Sequence, residues 1–324
     1  MQEITKKNIR IWSMLGMRRV AGIMLKEMAK SDQKFMFATA DMARYLGAED
    51  FHELFPGQII DVGIAEQNLI GIAAGMQKEG LHVFAGTYAT FLTARALDQI
   101  RVNLGYMNLG VKLIGIAGGL SDARFSPTHM ALEDIADMRV IPNITIISPA
   151  DGVELVKVME ALVNYEGPTY IRLTGGANLP IVYTEDYRYE IGRAVCLREG
   201  ADLALVAAGT MVSTALKVAK MLEMYDINCK VVNMHTIKPL DVEMLEQLAE
   251  FKMLVSIEEH MAAGGLGSAI AEYYAGKQKR PVHQIIGLRD AYPCSCDYEQ
   301  ALEKNGLTAE KITEQVMRAY YNLS

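Results

Sequence analysis

Two hydrophobic periods take turns along this chain. Short, continuously apolar runs stand at 34–40 (KFMFATA), 58–62 (QIIDV), 81–85, 111–117 (VKLIGIA), 144–148 (ITIIS) and 169–173. Runs this short and this apolar predict buried strands. Between them, 10–30 (Ile11, Leu15, Val20, Ile23, Met24), 65–75, 91–104 and 152–164 carry apolar residues at helical spacing. Strands alternating with helices predict a doubly wound α/β domain with a mostly parallel sheet. Residues 175–192 break the rhythm with Gly, Pro and charge, which places a domain boundary there, at about residue 185. The alternation then resumes on a smaller scale. Strands are expected at 203–207, 230–234, 253–257 and 283–286, with helices at 213–225, 241–250, 267–274 and 308–321. The pattern thus divides the chain into a first domain, 1–185, and a smaller doubly wound second domain, 186–324.

Composition agrees with two folded domains and removes several functions. Of 324 residues, 51% are hydrophobic and 22% charged, ample for large cores and against disorder. A net charge of −7 gives no overall attraction to phosphate backbones or anionic lipid, so neither nucleic acid nor membrane is an expected partner. The first residues, MQEITKKNIRIWS, lack the apolar core of a signal peptide, and no run approaches the roughly 20 apolar residues of a membrane span. The expected location is cytoplasmic. Four cysteines make no disulfide framework, and Cys294 and Cys296 read as two ordinary thiols. Glycines, 27 against 9 prolines, gather at turns beside the apolar runs, as in α/β loops that close over a ligand.

Three segments carry candidate chemistry. In DVGIAEQNLIGIAAG (61–75), Glu66 opens a helix behind a buried strand. The helix macrodipole alone favours a glutamate there. The apolar neighbours Ile64, Ala65, Leu69 and Ile70 point further, to a desolvated carboxylate inclined to share a proton. In AGTYATFLTARALDQIR (85–101), Tyr88 and Phe91 lie three apart as a helix begins, on one face. They serve either core packing or an aromatic wall against a flat heterocycle. In GGLSDARFSPTHMALEDIADMR (118–139), a glycine-rich polar loop leads to His129 at the C-terminal end of a parallel strand, where α/β sheets bind ligands. The stretch GGLGSA (264–269) lets a helix start close to another backbone but does not spell a dinucleotide-binding fingerprint.

Taken in order, the pieces ATADM (38–42), DVGIAEQNLIGIAAG, TYATFLTARALDQIR (87–101), SPTHMALEDIADMR (126–139), IPNITIISPAD (141–151), GPTYIRL (167–173), IKPLD (237–241) and EEHMAAGGLGSA (258–269) resemble the transketolase family. The resemblance spans nearly the whole chain. It is strongest to the pyrimidine-binding and C-terminal domains that form a separate chain in two-subunit transketolases. The set is also similar to deoxyxylulose-phosphate synthase and, more distantly, to the β subunit of 2-oxo acid dehydrogenase E1. The resemblance implies thiamine diphosphate as cofactor and transfer of a two-carbon ketol unit from a ketose to an aldehyde. It gives Glu66 the hydrogen bond to the aminopyrimidine N1′, and a carboxylate in a dry site suits that task. Phe91 and Tyr88 would flank the pyrimidine, His129 would contact substrate hydroxyls, Asp41 would lie near the cofactor, and Arg18 would reach a substrate phosphate.

Departures from the family pattern shape the remaining expectations. No Gly-Asp-Gly segment followed by Asn is present, so the resemblance leaves the diphosphate and its Mg²⁺ or Ca²⁺ to a partner chain and no metal ligand to this one. The implied assembly is an α2β2 heterotetramer in which this chain alone is inactive and binds the cofactor poorly. Phe125 stands where the family has a sugar-reading aspartate, Arg44 and Tyr45 where it has a serine, Gly175 where it has an arginine, and Ala117 where it has a histidine. Charge-assisted contacts are worth about 1.5–3 kcal/mol each, so ordinary sugar phosphates should bind poorly unless Arg44 or Arg124 compensates. Two other readings stay open: decarboxylating acyl transfer from a 2-oxo acid, as in the synthase or the dehydrogenase, and a non-catalytic subunit that completes an assembly.

Overall fold

The computed structural model describes residues 2–323 and contains two α/β sheets. The first sheet takes β1 (Phe35–Thr39), β2 (Ile59–Asp61), β3 (His82–Tyr88), β4 (Lys112–Gly118), β5 (Thr145–Ile147) and β6 (Thr169–Thr174). The second takes β7 (Val195–Arg198), β8 (Leu203–Ala207), β9 (Cys229–Asn233), β11 (Met253–Met261) and β12 (Val282–Leu288). The short strand β10 (Thr236–Lys238) lies in the sequence of the second domain but joins the first sheet, antiparallel to β5. The orders are β10-β5-β6-β4-β3-β1-β2 and β12-β11-β8-β9-β7. Every pairing is parallel except β10 with β5 and β7 with β9. β1, β4, β6 and β8 are buried along their whole length, which is why their sequences run apolar without alternation.

Two expected helices differ in form. The stretch 10–30 is two helices, Lys6–Leu15 and Met17–Ser31, parted at Gly16. Gly16 has φ +77°, and a Cβ there would stand 2.1 Å from the carbonyl oxygen of Gly176, so only glycine lets the chain pass. The stretch 91–104 is wound in wide π turns, Phe91–Arg95 and Ile100–Tyr106, on either side of a short α segment. Such turns redirect side chains relative to a regular helix and are frequent at functional sites. The antiparallel edge strands β7 and β10 have no counterpart in the sequence expectations.

Residues 175–194 form no helix or strand, as the broken rhythm implied, yet they are firmly tied. Tyr183 and Tyr187 stack at 4.1 Å and donate their hydroxyls to Glu154 of the helix Gly152–Leu162. Asn233, at the end of β9, donates to the same carboxylate at 2.9 Å. The connecting segment is thus clamped between the two domains. Among the described residues, no helix is long and apolar enough to cross a membrane.

Candidate active site

The candidate residues gather at the C-terminal edge of the first sheet, where parallel α/β sheets hold ligands. Glu66 is the first residue of the helix Glu66–Lys78, which follows β2, and it is 2% exposed. Its surroundings are not simply apolar. Arg95 Nη1 donates to Glu66 Oε2 at 2.7 Å, and the same guanidinium lies over the Phe91 ring, 4.2 Å from its centroid. The π turn puts Phe91 and Arg95 together on the side facing Glu66. The expected lone desolvated carboxylate is therefore a carboxylate with one oxygen fixed by an arginine and the other, Oε1, carrying no bond among the described residues.

An aromatic group surrounds that carboxylate's neighbour Phe91. Tyr88 ends β3 rather than sharing a helix face with Phe91, but the two rings still meet at 5.6 Å. His129 packs edge-on against both, at 5.2 Å from Phe91 and 5.4 Å from Tyr88. Thr128 Oγ1 lies 2.9 Å from His129 Nδ1, which leaves Nε2 as the nitrogen free to meet a ligand. Phe125 lies against the other side of His129, at 5.5 Å, with half of its surface exposed. Burial and the charge of Asp122 push the Tyr88 hydroxyl to a higher pKa, so it stays protonated.

Beyond Tyr88 opens a cleft of about 670 Å³ lined by Arg18, Arg19, Arg44, Tyr45, Ser121 and Asp122, among others. Tyr45 joins it to the aromatic group, 6.3 Å from Tyr88. Arg18 is held by Asp122 at 2.6 Å. Among the described residues, neither Arg19 nor Arg44 has an acidic partner. Arg124 is drawn away from the cleft and pairs with Asp297 of the second domain. Asp41 follows β1 in a left-handed conformation, φ +57°, with its N–H held by Asp61 Oδ1 at 2.9 Å. Gly175 has φ +74°, and a Cβ there would lie 2.5 Å from Leu179 and 2.8 Å from Thr210, so an arginine cannot occupy this position in the present packing. A separate cavity of about 570 Å³ at the opposite ends of β1, β3 and β4 includes none of the expected site residues.

Arg95, Asp122, Arg19 and Asp61 were not singled out from the sequence. Arg95 lies inside a quoted motif, four residues after Phe91, and that spacing is the one signal that links it to the site. Asp122 pairs with Arg18 across 104 residues, which no local pattern foretells.

Comparison with known proteins identifies the domains that carry this geometry. The pyrimidine-binding domain of transketolase matches residues 13–178, and the transketolase C-terminal domain matches 192–312. The chain is 34% identical over 304 residues to a putative transketolase C-terminal section of Methanocaldococcus jannaschii, covering 93% of this chain and 95% of that one. It is 34% identical over 307 residues to one subunit of the apulose-4-phosphate transketolase of Phocaeicola vulgatus, covering 94% and 97%. A solved structure described as a split gene transketolase, inactive beta4 tetramer, superposes with a TM-score of 0.85 at 37% identity over 95% of this chain and 98% of that one. With both domains matched in order and relatives of this similarity aligned end to end, the chain belongs to the transketolase family.

Proposed function

We propose that this chain is one subunit of a two-chain, thiamine-diphosphate-dependent transketolase that moves a two-carbon ketol unit from a ketose to an aldehyde. The observation that carries the reading is Glu66. Its buried carboxylate has Oε2 fixed by Arg95, whose guanidinium lies over the Phe91 ring, and Oε1 carries no bond. That donor set fits an aminopyrimidine, which needs a carboxylate oxygen at a ring N–H and an apolar plane against its face. When bound, thiamine diphosphate supplies the carbanion chemistry that breaks and remakes the bond beside the ketose carbonyl.

The chain's own residues then have these tasks. Glu66 accepts the ring N–H and holds a proton at Oε1, with Arg95 setting its orientation. Phe91 and Tyr88 wall the ring from water, and His129 Nε2 reaches a substrate hydroxyl. Arg44 and Arg19, uncompensated in the cleft, favour a ketose with an anionic end, while Arg18 is already half neutralised by Asp122. Phe125 and Gly175 remove two contacts that the family resemblance assigns to ordinary sugar phosphates, so the substrate is a different ketose. The diphosphate and its metal ion fall to a partner chain bearing the N-terminal transketolase domain, in an α2β2 assembly in the cytoplasm, with the site between chains.

The test is reconstitution. Mixed with a partner chain of that type, thiamine diphosphate, Mg²⁺, a ketose donor and an aldehyde acceptor, this chain should form the pair and yield the shortened aldehyde and the lengthened ketose; each chain alone should not. Turnover by this chain alone, or none by the pair with any ketose, defeats the reading.

A further inference from the structure

We infer that Glu259, a residue of the second domain, is a positioning residue for the loop that walls the substrate cleft, and that the second domain thereby sets how tightly a ketose is held. The inference rests on the reading of that cleft as the substrate site.

After β4 the chain turns at 119–125 and passes along the cleft, giving it Ser121 and Asp122 and setting Phe125 against His129. The loop's internal bonds are short-range turns, such as Ala123 N to Leu120 O at 3.0 Å and Phe125 N to Asp122 O at 2.9 Å. These shape the loop, and the first domain also ties it: Gly119 N donates to the Ala131 carbonyl at 2.8 Å, Gly175 N to Ser121 Oγ at 2.7 Å and Arg18 to Asp122 at 2.6 Å. The second domain adds a buried tie of its own at the start of the loop: Leu120 N–H donates to Glu259 Oε1 at 2.6 Å, across 139 residues of sequence. Contact is at backbone level, because Gly119 has φ +67° and a Cβ on it would lie 2.5 Å from that same oxygen. The other oxygen, Oε2, accepts from Tyr298 at 2.7 Å and from Thr210 at 3.1 Å, both in the second domain. The Glu259 backbone is anchored in turn by Arg172, which donates to its carbonyl at 2.9 Å and to that of Ala131 at 3.1 Å. Both Glu259 and Leu120 are buried, so the bond is shielded from water.

The adjacent Glu258 supplies an internal contrast. It is equally buried, yet both its oxygens serve its own domain, at Leu266 N (2.6 Å) and Gly267 N (2.8 Å). One glutamate builds the second domain, and its neighbour reaches out of it to the cleft.

The experiment uses the full chain, with its partner for kinetics. Glu259→Ala should raise the ketose KM about tenfold or more with kcat nearly unchanged, the mark of lost ground-state binding. Hydrogen exchange at 119–125 should quicken while 66–78 keeps its protection. Glu259→Gln should restore both readouts, since its amide oxygen still accepts from Leu120 and the two hydroxyls can turn to accept from its NH₂. Glu258→Gln should lower Tm without moving KM or loop exchange. If Glu259→Ala does not fold, Gly119→Ala displaces the loop from the opposite side and should reproduce the KM rise. A change in Tm alone, or faster loop exchange with an unaltered KM, overturns the proposal. If the wild-type pair transfers no ketol unit, that function falls by itself, and the exchange contrast between Glu259→Ala and Glu259→Gln still decides whether Glu259 holds the loop.

Discussion

Two regions of the molecule use the same kinds of residue in opposite ways. In the seam between the domains, Arg172 and Asp134 are both buried and pair at 2.7 Å. Tyr170 donates to the same Asp134 oxygen, and Arg172 Nη2 donates to the carbonyls of Ala131 and Glu259. The other Asp134 oxygen, Oδ1, is buried without a hydrogen bond and faces His260 Nε2 at 3.9 Å, the one exception in this group. At the cleft, Arg18 and Asp122 also pair, but Arg18 Nε and Asp122 Oδ2 are buried without a hydrogen-bond partner among the described residues, Arg19 and Arg44 have no acid there, and near it Glu66 keeps one oxygen unbonded. Buried charge is tolerable only when nearly every polar atom is satisfied, so the seam has the form of a scaffold. Donors and acceptors left open beside a cavity have the form of a binding site.

The contrast is broken most severely at Glu66. Glu66→Gln should cut ketol transfer by about 10³-fold, within the range general acid–base groups supply, because an amide cannot hold the proton at Oε1. Tm should change little, since the amide oxygen can still accept from Arg95. Stopped-flow turnover and thermal melting of the same preparation check both halves. Near-normal turnover would mean that Glu66 belongs to the scaffold after all.

Arg172→Leu is the converse and should act on stability. Removing one partner of a buried pair leaves Asp134 charged and uncompensated, which costs about 3–5 kcal/mol. Denaturant unfolding should show that loss, while the fraction still folded at low temperature binds cofactor as before in the assembled enzyme. A large fall in cofactor affinity without a fall in stability would erase the distinction between the regions.

The same contrast explains what was legible in the sequence. β1, β4, β6 and β8 announce themselves because strands buried on both faces must be apolar throughout. β7 and β10 do not, being short edge strands, with β7 half-exposed along its length. Gly16 stands in plain view, but its role depends on Gly176, 160 positions away in the chain. Glu66, Phe91 and His129 are legible because ordered motifs mark them. The partners that give them geometry are not: Arg95 reaches Glu66 across 29 residues, and Asp122 reaches Arg18 across 104. Local periodicity reports which face of an element is buried, and it carries nothing about which buried polar groups from distant elements will meet.

Within the seam, His260 should sharpen the contrast through pH. Burial lowers its pKa from 6.5 to about 4, and its bonds match the neutral ring: Nδ1 donates to the Met261 carbonyl at 2.7 Å, and Nε2 accepts from Ala136 N. Between pH 4 and 6.5 the unfolded chain binds the extra proton, so this contribution is fully present above pH 6.5 and is lost as pH falls through 4. Its full size is about 3 kcal/mol. Glu258, 4.0 Å away and raised to about 7, acts in the opposite sense, losing stability as pH rises from 4.5 to 7. The wild-type slope blends the two, so the measurement is a difference: His260→Gln should show less acid destabilisation than wild type in unfolding midpoints at pH 7.5 and 4.5. Equal slopes would mean that His260 is not held neutral by the seam.

The smallest effect falls at the edge of the cleft, and it separates binding from structure most cleanly. Arg44 is exposed and has no acidic partner among the described residues, so its removal strands no buried charge and should leave Tm unaltered. If it meets the anionic end of a ketose, Arg44→Ala should raise KM for that substrate about tenfold, with kcat unchanged. The loss should shrink in high salt, because an exposed pair is screened. A ketose without the anionic group should show no difference between the two proteins. Arg18→Ala is the informative companion, since Arg18 is already bound to Asp122 at 2.6 Å. Its removal takes a cation from the cleft and also frees an acid there, so it should weaken an anionic substrate more than Arg44→Ala does. It should also lower Tm slightly. The reverse order would assign the anion to Arg44 alone and leave the Arg18–Asp122 pair as a wall of the cleft.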